Sequence, residues 1–158
     1  MMLFDRTILA IDDDADDIQL LQEALAEHSA DAQLIAVQNA EAFFHSLFTA
    51  QTKAADWTIA TPVLLPDLIL LDVNMPKLTG LEVLRLIRQN PQLDGCKVAM
   101  LTTSVNPSDK QACFDAGADL YLVKPSSFAQ LVELCDTLLH QVLPIPRSAV
   151  LEVFNARQ

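Results

Sequence analysis

The sequence predicts an α/β domain, a doubly wound parallel sheet with helices on both faces. Three observations carry that prediction. Short apolar runs alternate five times with stretches of helical period along the 158 residues. The runs ending at Ile11 and Leu71 are continuously apolar, as strands covered on both faces must be. The length fits one domain, and 51% hydrophobic residues suffice for a real core.

Each element follows from local chemistry. Thr7 to Ile11 is the first strand, and it stops at three aspartates. From Ala15 to about His28, Ile18, Leu21 and Leu25 share one helical face. Gln33 to Val37 is the second strand. Ala40 to about Ala50 is a helix with Phe43, Leu47 and Phe44 or Phe48 inward. Gln51 to Pro66 has no period and two prolines, so it reads as a long loop. Asp67 to Asp72 is the third strand. Gly80 to about Gln89 is a helix stopped by Asn90-Pro91. Lys97 to Leu101 is the fourth strand. Asn106, Pro107 and Asp109 supply an N-cap, a first-turn proline and a first-turn acid for a helix reaching Ala116, closed by Gly117. Leu120 to Val123 is the fifth strand. Ser127 and Gln130 form a capping box for the last helix, about Phe128 to Leu143, which Pro144 and Pro146 end. The division is therefore a domain over residues 1–143 and a tail over 144–158, with an apolar patch at Val150, Leu151, Val153 and Phe154.

Composition removes several function classes. With 21 Asp or Glu against 10 Lys or Arg, the net charge is −11, which argues against a broad nucleic-acid binder. Gly80, Gly95 and Gly117 are too scattered for a dinucleotide or Walker phosphate loop. Cys96, Cys113 and Cys135 lack any CxxC spacing and read as small core residues in a reducing compartment. There is no signal-peptide pattern and no apolar run of about 20 residues, so a cytoplasmic protein without a membrane segment is expected.

In parallel α/β sheets the ligand site lies at the carboxyl ends of the strands. Here those ends carry Asp12, Asp13 and Asp14, then Asp72, then Thr102 and Thr103, then Lys124. Crowded carboxylates repel and raise one another's pKa values, which a hard divalent cation resolves. Oxygen ligands of this kind suit Mg²⁺, and a carboxylate beside it can be a nucleophile toward phosphorus. A lysine and a hydroxyl would complete the neutralisation of a phosphoryl group.

These residues sit in four ordered motifs: Ile8-Leu9-Ala10-Ile11-Asp12-Asp13-Asp14; Pro66-Asp67-Leu68-Ile69-Leu70-Leu71-Asp72-Val73-Asn74-Met75-Pro76 with Gly80; Leu101-Thr102-Thr103-Ser104; and Gly117-Ala118-Asp119-Leu120-Tyr121-Leu122-Val123-Lys124-Pro125. In them the chain resembles the receiver domain of two-component response regulators, over about residues 6 to 143. The resemblance implies a flavodoxin-like (βα)5 fold with strand order 2-1-3-4-5. It implies that Asp72 is the phosphoacceptor. Asp12 and Asp13 would bind Mg²⁺ with Asp72, one directly and one partly through water, and the Asn74 backbone carbonyl would be a further ligand. Thr102 would be the switch hydroxyl, with Thr103 beside it, and Tyr121 the coupled aromatic. Lys124 would pair with the phosphoryl group or Asp72, and the Lys124-Pro125 peptide is expected cis. The donor would be a sensor histidine kinase or phosphotransfer protein. The chain would act on no other substrate as an enzyme.

Plainer readings exist for each feature alone. The Asp12 to Asp17 acids suit a solvated helix start. Asp72 could cap a turn, and Lys124 could be an ordinary surface lysine. Asp14 is ambiguous. His28, His45 and His140 read as surface or packing residues. Three rival functions also stand. A Mg²⁺-dependent phosphatase of the haloacid-dehalogenase class would need a second Asp where Asn74 lies. A flavin mononucleotide binder would need a phosphate loop where three aspartates lie. A degenerate receiver, kept only for protein contacts, would not need the full acid, hydroxyl and lysine set.

Only 15 residues follow Leu143, too few for an output domain, so a stand-alone receiver is expected, like those paired with bacterial phytochromes. Leu134 and Leu143 at the margins of the last helix, with Val150, Leu151 and Phe154, suggest a homodimer surface. The competing reading folds the tail back on its own domain.

Overall fold

In the computed structural model, which describes residues 6–28, 32–45 and 66–143, strand and helix alternate as expected. The order is β1 (Arg6–Ile11), α1 (Ala15–Ala26), β2 (Ala32–Val37), helical residues 40–45 (α2), β3 (Leu68–Asp72), α3 (Gly80–Gln89), β4 (Lys97–Thr102), α4 (Pro107–Asp115), β5 (Leu120–Val123) and α5 (Phe128–Thr137). All strand pairs are parallel, and the sheet order is β2-β1-β3-β4-β5. Most of the Gln51 to Pro66 loop, and Val150, Leu151 and Phe154 of the tail, lie outside the described residues.

Strand alternation divides the core in two. Leu9, Ile11, Ile69, Leu71, Val98 and Met100 face α2, α3 and α4. Ile8, Ala10, Leu68, Leu70 and Ala99 face α1 and α5. Every residue of β1 and β3 is buried, which explains their unbroken apolar runs. Cys96, Cys113 and Cys135 are all buried free thiols, and burial pushes the Cys135 thiol up to about 11.

Local signals behave mostly as read. Asn106 caps α4 through its side chain, and Gly117 follows with a φ of 103°, a left-handed turn that favours glycine. Thr79 and Glu82, which the sequence reading did not single out, form a full capping box on α3. The box expected at α5 is only half made: Ser127 accepts from Gln130 N, but the Gln130 side chain accepts from Ser126 instead.

The last helix also departs from expectation. Regular helix ends at Thr137, and residues Leu138–Val142 widen into a π-helical segment whose closing bond runs from Leu143 N to Leu138 O. The wider turn frees carbonyls for distant cations. Arg6 donates to Leu139 O, and Lys97 Nζ donates to Val142 O at 2.9 Å. Leu143 is buried in the α1/α5 core and Leu134 packs against it. Leu143, expected at a dimer surface, is instead buried in the core of its own domain.

Candidate functional site

The carboxyl ends of β1, β3, β4 and β5 meet at one edge. Asp12 follows β1 directly and Asp72 ends β3, and both are buried. Asp13 is exposed beside them. One carboxylate oxygen from each of Asp12, Asp13 and Asp72 lies within 4.8 Å of the others. Such a donor set fits a small hard cation, which takes oxygen ligands and relieves their mutual repulsion.

The backbone holds these side chains in place. Asp14 N donates to Asp12 Oδ1 at 2.9 Å, and Asn74 N donates to Asp72 Oδ1 at 3.3 Å. Asp14 caps α1, its side chain accepting from Asp16 N and Asp17 N. That settles the ambiguous third acid as a cap. Gly80 brings α3 against the end of β3: a Cβ there would lie 2.2 Å from Asp72 O and 2.7 Å from Val73 Cα.

Asp72 shows what the crowding does. Its carboxyl is pushed up to about 6, first by burial and then by the Asp12 charge; Lys124 and the Asn74 N–H oppose the shift. Lys124, just after β5, faces three carboxylates. Its Nζ lies 2.8 Å from Asp17 Oδ2, 3.1 Å from Asp12 Oδ2 and 3.5 Å from Asp72 Oδ1. Burial alone would lower its pKa, but Asp17 and Asp12 outweigh that and hold the ammonium charged. Lys124 thus lies near Asp72 as the resemblance implies, yet bonds more closely to Asp12 and Asp17.

Thr102 ends β4 with no exposed surface, and its Oγ1 accepts from Ser104 N at 3.0 Å. Thr103 is exposed, so of the two hydroxyls only Thr102 is enclosed. Tyr121 on β5 is half-buried against the α3/α4 core and donates to Ser104 O at 3.2 Å. Ser104 Oγ donates to Asp109 Oδ2 at 2.8 Å, tying the β4–α4 loop to the first turn of α4. The expected cis peptide is absent: the Lys124–Pro125 bond is trans. Trans is the lower-energy form by about 0.5–1 kcal/mol, and with it Lys124 N still donates to Thr102 O at 2.7 Å.

Reasoning from sequence missed Asp17 as a partner of Lys124. The available signal was helical phase, since Asp17 shares a face with Leu21 and Ala24, both buried. It also missed Arg88, which donates to Gly117 O and Asp119 in the connection before β5 and to Cys96 O just before β4, and so ties those two connections to the end of α3.

The acid, hydroxyl and lysine set on this sheet order is that of a phosphoryl-switched signalling domain. The response regulator receiver domain family matches residues 8–136, and the chain belongs to it. It is 33% identical over 132 residues to response regulator Rcp1 of a Synechocystis species, covering 82% of this chain and 83% of that one. The Mn²⁺-bound structure of Rcp1 superposes with a TM-score of 0.68 at 31% identity, over 89% of this chain and 99% of that one. The phosphorylated cyanobacterial phytochrome response regulator RcpA gives 0.67 at 30% identity, with the same coverage. The function is that of the family, phosphorylation-dependent signalling, and none of the three rivals gains support from these relatives. No helix among the described residues is long and apolar enough to cross a membrane.

Proposed function

We propose that Asp72 accepts the phosphoryl group and that Asp12, Asp13 and Asp72, with the Asn74 backbone carbonyl, hold Mg²⁺. The single observation that carries this reading is the convergence of those three carboxylates with Lys124 at the strand ends. A carboxylate oxygen of Asp72 attacks the donor phosphorus. One O–P bond forms as the donor's P–N bond breaks, and the electron pair leaves on the donor imidazole. Mg²⁺, when bound, supplies charge neutralisation for the phosphoryl oxygens. Thr102 then offers its hydroxyl to a phosphoryl oxygen, giving up its bond to Ser104 N. Because Tyr121 also rests on Ser104, that exchange reaches the β4–α4 loop and the β5 edge.

The donor is a histidine kinase or phosphotransfer protein, and the names of Rcp1 and RcpA support testing a phytochrome-linked kinase first. A cytoplasmic site of action fits such a donor. Homodimerisation through the outer side of α5 and the tail stays part of the reading, with Leu134 at its margin and Leu143 removed.

Beryllofluoride with Mg²⁺ tests the assignment. The amide resonances around Asp72, Thr102 and Tyr121 move in the wild-type chain and stay still in Asp72→Asn. No wild-type response, or an equal response in the variant, refutes it.

A further inference from the structure

The shortest contact of Lys124 is with a group outside the reacting set. Its Nζ is 2.8 Å from Asp17 Oδ2, against 3.5 Å from Asp72 Oδ1. An ammonium has three protons to give. Asp17 and Asp12 accept two at hydrogen-bond distance, and Asp72 lies beyond the usual range for a third. The pair joins the first turn of α1 to the end of β5 across 107 positions of sequence. Asp17 tops the stripe of Leu21 and Ala24 that packs toward α5, so its carboxylate is carried by a seated helix. The neighbouring Asp16 is exposed.

We propose that Asp17 is a positioning residue that parks Lys124 against α1 while Asp72 is free, and that the ammonium leaves Asp17 when a phosphoryl group arrives. This rests on the phosphoacceptor reading of Asp72. The Lys124 backbone is fixed by its bond to Thr102 O, but four methylenes let Nζ swing without it. A phosphoryl group on Asp72 adds a multiply charged acceptor close to Nζ, which then attracts it more strongly than one carboxylate does. Asp17 therefore stabilises only the state without phosphoryl and sets the threshold for switching. A contact made in one state alone shifts the equilibrium toward that state.

Removing the contact must then favour the phosphoryl-bound state. Beryllofluoride is titrated into the full chain at saturating Mg²⁺, read by amide resonances near Asp72 and by the Lys124 side-chain Nζ resonance. Asp17→Asn and Asp17→Ser are expected to bind the analogue roughly two- to fivefold tighter than wild type, the range of a partly exposed ion pair. Their Lys124 signal is displaced before the analogue is added. Asp16→Asn removes the same charge from the same helical turn and binds within error of wild type. Unchanged or weaker binding in the Asp17 variants, or equal tightening in Asp16→Asn, overturns the proposal while leaving Asp72 as acceptor. A wild-type chain that ignores the analogue overturns both.

Discussion

Asp72 pays for its position with a proton. In the metal-free chain its carboxyl is pushed from 3.8 up to about 6, so the folded state holds that proton more tightly than the unfolded state does. The sign follows: stability falls as pH rises through the window from about 4 to 6 and stays lower above it. Asp72→Asn removes that cost. It is expected to raise metal-free stability at pH 7 by about 1–3 kcal/mol and to flatten the slope between pH 4 and 6, read by urea unfolding with chelator present. A variant less stable than wild type at pH 7 contradicts this. Mg²⁺ acts in the opposite direction. At 100 times its Kd it is expected to stabilise the wild-type chain by about 2.7 kcal/mol, with most of that lost in Asp72→Asn. Equal stabilisation of both by Mg²⁺ would place the metal elsewhere. At this scale the cluster was legible, because Asp12, Asp72, Thr102 and Lys124 each end or directly follow a readable strand. Asp17 was not, since an acid in a first helical turn already has a sufficient local reason to be there.

Elements position the site through a few close approaches. Gly80 lets the first turn of α3 rest on the backbone carbonyl of Asp72. Gly80→Ala is expected to cost roughly 1–3 kcal/mol in urea unfolding and to weaken beryllofluoride binding, since either α3 or Asp72 must yield. A Cβ added at Gly95 would meet no atom within 4 Å, so Gly95→Ala is the matched control and stays near wild type. Equal effects from the two changes would show that backbone freedom, not the contact, decides. Helix starts were legible from Asn106-Pro107 and Ser127, whose signals are local. The π-helical end of α5 was not. Its carbonyls are met by Arg6 at Leu139 O across 133 positions and by Lys97 at Val142 O across 45, and no local window of sequence contains those partners.

The whole molecule follows from alternation. Five apolar runs separated by helices admit a parallel sheet, and β1 and β3, buried on both faces, had to lie inside it. The strand order came from resemblance to the receiver family, since periodicity does not order strands, and the sheet has that order. The dimer proposal is narrower once Leu143 belongs to the core. Light scattering of the full chain and of a chain cut after Leu143 checks it: the full chain is expected to dimerise with Mg²⁺ and beryllofluoride and the cut chain to stay monomeric. Two monomers under both conditions would refute the surface.

The central claim is that one carboxylate, Asp72, carries the phosphoryl group. Intact-mass spectrometry after incubation with Mg²⁺ and acetyl phosphate, followed by peptide mapping, reads it directly. The account predicts a gain of one phosphoryl group, on the peptide holding Asp72, absent without Mg²⁺ and absent in Asp72→Asn. A phosphoryl group that persists in Asp72→Asn, or that maps to another residue in the wild-type chain, would contradict it.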